Sequence, residues 1–427
     1  MLFRSAISTT PYADAYGWHG IAFSPDSQYV FWIWRDPLSR PVKVFRRPAR
    51  GGDDVLVYTE PDPALFMGLS RTASNSHVVI HILGPDVDEV RLIPAADPLA
   101  EPMLVEPRQP GLHYRVQEWA GDLIILTDAD GALDGKLMRA SLAQPGRAHW
   151  QDWVPHRPGC HILETLSFRE HFVRLQRVDG RLEIVVTGRD GKEDSVAFDE
   201  AAYTITLAPV QEPGGSILRL IYESPRTPRQ WLDYDMVSRT RHVVQQQATG
   251  KGFDPARYEV RRLMAPASDG EQVPVTVLMR KGMKRDGSAP LLLYAYGAYG
   301  VPSEAEFSIP ALALVDRGWT YAIAHVRGGS ERGRRWFLDG RRFKKKNTFT
   351  DFIACAELLI KQGYTARRRI VAYGLSAGGL LMGGVTNLRP DLWGGVIAQV
   401  PFVDMLNTMS DGDHPLEIGR ASCRERV

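Results

Sequence analysis

The chain has 427 residues, 24% of them charged and 44% hydrophobic, with a formal net charge of +2. That balance belongs to a large globular protein with room for two domains, and it gives no electrostatic ground for a nucleic-acid or anionic-membrane partner. No apolar run reaches the length of a bilayer span, and Cys160, Cys355 and Cys423 are too few and too scattered for a disulfide framework or a metal site.

The eleven histidines show no metal-ligand spacing, so no metal or cofactor is expected. The cysteine usage suits a reducing compartment, hence a cytoplasmic location. The oligomeric state is left open.

Upstream of about residue 250 the chain repeats. Apolar or alternating strands begin near Tyr29, Val78, Leu123, Phe172 and Leu218, spaced by 45 to 49 residues, the scale of a four-stranded propeller blade. Turn chemistry lies between them: Ser24-Pro25-Asp26, Asp128-Ala129-Asp130-Gly131, Asp179-Gly180 and Asp190-Gly191. A β-sandwich also has many strands, but the long regular period favours blades. Residues 6–250 therefore read as a partial β-propeller of about five blades.

From about Gly252 strands alternate with helices. Pro290–Tyr296 and Tyr321–Val326 read as buried strands, and Thr348–Lys361 as an amphipathic helix. Thr348 and Asp351 have the spacing of a capping pair, with Phe349, Phe352, Ile353, Ala356 and Ile360 on one face. The strand at Ile370–Tyr373, a helix starting near Leu380 and a strand at Gly395–Val400 complete a parallel α/β sheet, so residues 251–416 read as a partial α/β-hydrolase domain. The basic run Arg341–Lys346 is short and the net charge is near zero, so it reads as a solvated face.

Gly374-Leu375-Ser376-Ala377-Gly378 joins the Ile370 strand to the following helix. This G-x-S-x-G pattern is a nucleophile elbow: a sharp strand-to-helix turn lifts a serine Oγ clear of the sheet, and only residues without bulk fit beside it. Ser376 is the candidate nucleophile, and the helix beginning at Ala377 aims backbone N–H groups at a developing oxyanion. Elbow hydrolases run Ser, then Asp or Glu, then His. Beyond Ser376 the only histidine is His414, and the carboxylates Asp391, Asp404, Asp411, Asp413 and Glu417 crowd into the same short tail. One helix and one strand are too little to bring acid and base round to the elbow, so the chain reads as an enzyme cut off before its base.

Several stretches occur in an order and spacing that carry a resemblance. They are Leu293-Tyr294-Ala295-Tyr296-Gly297-Ala298-Tyr299-Gly300, His325-Val326-Arg327-Gly328-Gly329, Lys345-Lys346-Asn347-Thr348-Phe349-Thr350-Asp351-Phe352, Ser376 to Gly383, and Gln399-Val400-Pro401-Phe402-Val403-Asp404. Together they resemble the oligopeptidase B branch of the prolyl oligopeptidase family, with weaker similarity back to about residue 15.

The resemblance implies a seven-bladed propeller on an α/β-hydrolase domain and a serine endopeptidase that cleaves short peptides after Arg or Lys. It implies Ser376 as nucleophile, the Tyr296 hydroxyl joining the Ala377 N–H in the oxyanion hole, and Glu304 and Glu306 as acidic residues that meet a basic substrate side chain. The family often has Asp at the last two positions, and usually Gly and Leu where this chain has Ser330 and Arg332. The alternatives are another propeller-hydrolase, such as an acylaminoacyl peptidase or an esterase, or a non-catalytic propeller that binds peptides.

The resemblance stops at Pro415-Leu416. Residues 417–427 read as a translated short-read sequencing adapter, and Met1–Ser5 as the opposite adapter end. The native part is accordingly expected to be an internal fragment, residues 6–416, inactive as it stands for want of its acid and base.

Overall fold

The computed structural model describes residues 20–37, 40–84, 86–210, 212–404 and 407. His414, Asp411, Asp413, Glu417, Cys423 and both adapter-like ends lie outside the described residues.

The first half forms five antiparallel four-stranded sheets in chain order. Strands β1 to β4 run Ile21–Phe23, Tyr29–Arg35, Pro41–Pro48 and Val55–Thr59; β5 to β8 run Phe66–Arg71, His77–Leu83, Asp88–Pro94 and Met103–Leu104. Then come β9 to β12 (Tyr114–Trp119, Asp122–Thr127, Lys136–Ser141, Gln151–Val154) and β13 to β16 (Cys160–Ser167, His171–Val178, Arg181–Gly188, Glu193–Val196). The last sheet holds β17 to β20 (Thr204–Leu207, Ile217–Glu223, Gln230–Asp235, Thr240–Gln246).

Each of the five expected strand starts falls on the second strand of a sheet. That strand is hydrogen-bonded on both edges and packed on both faces, so it is almost continuously apolar: Val78, Val79, Ile80 and Ile82 of β6 are all buried. Apolar cores bridge successive sheets. Ile80 and Ile93 pack with Phe31 and Ile33, while Val173 and Ile184 pack with Leu218 and Leu220. Sheets that bury both faces against neighbours in sequence are the building principle of a propeller.

The second half is one six-stranded sheet in the order β21–β22–β24–β23–β25–β26. Its strands are Tyr258–Pro266, Gln272–Arg280, Leu291–Tyr294, Thr320–Ala324, Ile370–Leu375 and Trp393–Gln399. Strands β24, β23, β25 and β26 are parallel, as the sequence pattern suggests, but the sheet is mixed rather than parallel throughout. The β21–β22 hairpin pairs antiparallel along its length, and β22 pairs antiparallel with β24. Val273 to Met279 of β22 are buried without interruption, the mark of a strand covered on both faces.

Among the described residues the helices that accompany this sheet are α1 (Ile309–Val315), α2 (Arg334–Leu338), α3 (Lys346–Lys361) and α4 (Ala377–Leu388). Helix α3 buries Phe352, Cys355, Ala356 and Leu359, and Phe349, Ile353 and Ile360 pack at the margin of the same core. The expected capping pair is not one. The residue before α3 is Lys345, with no side-chain cap, and both Thr348 and Asp351 are fully buried and turned to another segment. Sequence spacing alone cannot distinguish a cap from a tertiary hydrogen bond of the same side chains.

The two halves meet through polar contacts. Arg262 of β21 donates from both terminal nitrogens to the turn between β14 and β15, to Asp179 O at 2.7 Å and Gly180 O at 3.1 Å. The Arg334 backbone N–H donates to Asp134 Oδ1 at 2.7 Å, and the Phe307 N–H to Glu223 Oε2 at 3.1 Å. Burial, with Arg181 and Arg177 nearby, pulls the Arg262 guanidinium down to about 10. No helix among the described residues is long and apolar enough to cross a membrane.

Candidate active site

The sheet order sets the site. From β23 the chain passes to β24 on one side, while β25 lies on the other, so the carboxyl ends of β23 and β25 flank a point where the strand order reverses. Such a point leaves a crevice in which open α/β sheets bind ligands. Tyr294 and Tyr373 are register partners across it. Tyr296 lies two residues beyond β23 and Ser376 one residue beyond β25, so the topology brings them to the same edge.

Ser376 has φ 55° and ψ −115°, a conformation that costs a non-glycine residue of the order of 1–3 kcal/mol unless its surroundings hold it. Two backbone hydrogen bonds to the end of β26 do so: the Ser376 N–H donates to Gln399 O at 2.9 Å, and the Phe402 N–H donates to Ser376 O at 2.9 Å. Val400, between those two anchors, is itself at φ 38°, an outlier for a β-branched residue.

The glycines of the elbow are sterically required. A Cβ on Gly374 would overlap Gly378 O, and one on Gly379 would overlap Pro401. A Cβ on Gly378 would meet Ala295 O at 2.8 Å and Tyr296 Cα at 3.4 Å. The Tyr296 backbone therefore packs on the elbow itself. Ala377 is buried and opens α4, so its N–H has no intrahelical acceptor. Ser376 Oγ makes no hydrogen bond among the described residues.

The loop from Tyr296 to Gly300 is held from below by a buried polar cluster. Arg327 and Asp351 form a fork: the Arg327 backbone N–H donates to Asp351 Oδ2 at 3.0 Å and Nε to the same oxygen at 2.8 Å, while Nη2 donates to Oδ1. Arg327 Nη1 donates to Asp269. Thr348 Oγ1 donates to Arg327 O at 2.7 Å, fixing the left-handed Gly328 that follows (φ 102°). Gly328 O accepts from the Gly300 N–H at 2.9 Å, and a Cβ on Gly328 would overlap Gly297 O. That same Gly297 carbonyl accepts from Lys345 Nζ at 2.6 Å.

Lys345 is thus an exception within the basic run. Arg342, Phe343, Lys344 and Lys346 are exposed as expected of a solvated face, whereas Lys345 points inward and burial pulls its ammonium down to about 8. The inward turn has no signature in the composition of the run. The adjoining Lys345–Asp351 stretch is the one hint.

Glu304 and Glu306 have different fates. Glu304 pairs with Arg177 of β14 through both terminal nitrogens, so it joins the two halves of the molecule and its charge is already matched. Glu306 has no hydrogen-bond or ion-pair partner among the described residues. Burial first, then the neighbouring Glu223, raises its carboxyl above the ordinary value. Glu306 also contributes to the upward shifts of Tyr294 and Tyr321, which places it within electrostatic reach of the strands under the site. The loop between them is sutured at both ends, with the Ser303 N–H on Glu331 Oε1 at 2.8 Å and the Phe307 N–H on Glu223.

Of the two departures from the resembling pattern, Ser330 is buried and its carbonyl accepts from the Gly333 N–H at 3.0 Å. Arg332 reaches Glu271 and Gln272 O, each at 3.2 Å, and so ties the segment to the β21–β22 hairpin. Asp404 accepts from Asn407 Nδ2 at 2.9 Å and is not paired with a histidine among the described residues.

Comparison with known proteins agrees with this architecture. Residues 9–247 match the model of the prolyl oligopeptidase N-terminal β-propeller domain, and residues 305–423 match that of the prolyl oligopeptidase family. Dipeptidyl aminopeptidase BI of Pseudoxanthomonas mexicana is 38% identical over 93% of this chain and 55% of its own length. Protease 2 of Moraxella lacunata is 33% identical over 91% and 56%. The closed form of oligopeptidase B from Trypanosoma brucei, with covalently bound antipain, superposes with a TM-score of 0.86 at 35% identity, covering 94% of this chain and 59% of that one. The chain spans about half the length of the curated relatives it matches. Five antiparallel sheets, an elbow at the reversal point of a hydrolase sheet and both family models lead to one conclusion: the chain belongs to the prolyl oligopeptidase family.

Proposed function

We propose that these residues are the propeller and elbow portion of a serine oligopeptidase that cleaves short peptides after Arg or Lys through an acyl-enzyme on Ser376. The observation that carries the reading is the strained serine at the strand–helix junction, with the Tyr296 backbone packed on its glycines. Ser376 Oγ attacks the scissile carbonyl and forms the C–O bond. The oxyanion takes the Ala377 N–H and the Tyr296 hydroxyl, two donors fixed before reaction, and collapse expels the amine. Water then hydrolyses the ester. The base that takes the serine proton and returns it to the departing amine is not among the described residues, and a serine hydroxyl without a positioned base is a weak nucleophile, so little or no turnover by residues 1–427 is the expectation.

Glu306, exposed and without an ion-pair partner among the described residues, is the better of the two candidate carboxylates for a basic substrate side chain. Glu304 has its cation already. The names of the relatives favour a peptidase over an esterase, and the 38% identical one is named for release of dipeptides from an amino terminus. An unpaired carboxylate suits an α-ammonium as well as a guanidinium, so removal of amino-terminal dipeptides is the second reading.

The test pairs a fluorophosphonate probe with an Arg-containing chromogenic peptide. The chain of residues 1–427 is expected to give neither labelling at Ser376 nor turnover, and the full-length enzyme to give both. Stoichiometric labelling of Ser376 in the chain as written refutes the missing base. Absence of labelling in the full-length enzyme refutes the nucleophile. Blocking the substrate's amino group separates the two specificities: an endopeptidase tolerates it, and a dipeptide-releasing enzyme does not.

A further inference from the structure

Lys345 is a half-buried ammonium with no counter-ion among the described residues. Among these residues its hydrogen bond runs from Nζ to Gly297 O at 2.6 Å. Its charged neighbours are matched to one another: Arg327 with Asp351 and Asp269, and Arg335 and Lys344 with Asp339. Glu331 accepts from the Ser303 N–H. Among the described residues no carboxylate forms an ion pair with Lys345, so its hydrogen bond to the Gly297 carbonyl is the contact that offsets its desolvation.

The carbonyl it holds belongs to the residue after Tyr296. Gly297 is at φ 67° and its α-carbon is wedged, since a Cβ there would meet Thr348 Cγ2 at 2.5 Å and Val326 Cγ2 at 2.8 Å. The peptide that carries the carbonyl lies against Gly328. Among the described residues the side chain that donates to this carbonyl is Lys345. The neighbouring anchor, the Gly300 N–H on Gly328 O, lies three residues further on.

We propose that Lys345 is a positioning residue for the Tyr296 hydroxyl, fixing the backbone after Tyr296 through the Gly297 carbonyl so that the ring faces the elbow. The inference rests on the reading of Tyr296 as an oxyanion donor. Lys345 touches no substrate. It acts through one peptide group, and its effect appears in the transition state, where a donor displaced by about 1 Å loses much of its worth.

The experiment is a double-mutant cycle in the full-length enzyme, measured as kcat and KM on an Arg chromogenic peptide. Lys345→Met is expected to lower kcat about tenfold with KM within about twofold, against the hundredfold or more that loss of a whole oxyanion donor costs. In the Tyr296→Phe background the same substitution is expected to change kcat by less than about twofold, because the group it positions is gone. Lys345→Arg keeps a donor that stays charged at every accessible pH. It is expected to recover activity and to abolish a fall of wild-type kcat near pH 8, where Lys345 loses its proton.

A kcat loss of equal size in both backgrounds, or a rise in KM alone, overturns the inference and leaves Tyr296 in place. A Tyr296→Phe enzyme with wild-type kcat overturns the oxyanion reading itself, and this inference with it. If Lys345→Met does not fold, the Lys345→Arg pH profile decides: an alkaline limb unchanged from wild type refutes the role.

Discussion

Removing the Asp351 carboxylate is the sharpest test of how the Tyr296 loop is supported. Asp351 is 0% exposed and Arg327 3%, and three N–H groups of Arg327 converge on the one carboxylate. Asp351→Ala would leave a guanidinium in the interior with Asp269 as its remaining partner. The Asp269 side chain is 43% exposed, so its charge is already well solvated and replaces little of what is lost. Breaking a buried pair from one side costs about 3–5 kcal/mol, and the residual contact to Asp269 places this case near the lower end, about 3 kcal/mol. Replacing both partners with apolar residues, Arg327→Met with Asp351→Leu, is expected to cost less than the single change, because no charge is then stranded. Urea unfolding of the full-length enzyme measures both, with Trp336, whose ring lies 5.7 Å from the Arg327 guanidinium carbon, as a local fluorophore. A single-mutant cost under about 1 kcal/mol, or a double mutant less stable than the single one, would refute the reasoning.

Glu306→Gln is expected to raise KM for peptides with paired basic residues more than for those with one, and equal shifts would place Glu306 on an unused surface. Because burial and Glu223 raise its carboxyl, stability is fully present below its unfolded value of 4.5 and is lost as pH rises through the folded value; Glu306→Gln should therefore raise Tm at neutral pH and leave it unchanged in acid. Glu304→Gln strands Arg177, which is buried with its Nε unpartnered, and should speed proteolysis between the two halves while leaving the preference for basic peptides in place. Gly374→Ala drives a Cβ into Gly378 O and should abolish labelling of Ser376 in the full-length enzyme while far-ultraviolet circular dichroism stays unchanged.

The sequence was most legible where one residue type served one purpose. Second strands of the blades stand out because both their faces are buried, and the elbow because its glycines admit no substitute. Sites whose meaning depends on a distant partner were not legible. Thr348 and Asp351 have the spacing of a cap but serve Arg327 and its carbonyl, 21 and 24 residues upstream. Lys345 cannot be told from Lys344 or Lys346 until the loop after β23 supplies an acceptor. Glu304 and Glu306 read as a pair, yet Arg177, 127 residues before Glu304, takes one and leaves the other. The β21–β22 hairpin is hidden for a different reason: at the head of the sheet it interrupts the alternation of strand and helix by which the rest of this half is recognised.

The two hydrogen bonds that hold Ser376 come from residues 399 and 402, and this sets an order of events during synthesis. When Ser376 leaves the ribosome, the strand that must fix it has not yet been made. The elbow can take its strained form only after some two dozen further residues have emerged and β26 has paired with β25. Until then the serine is an ordinary residue in an unfinished turn. On the proposed reading of Ser376 as nucleophile, that nucleophile is assembled from the chain's own downstream residues and is not yet formed through the early part of translation.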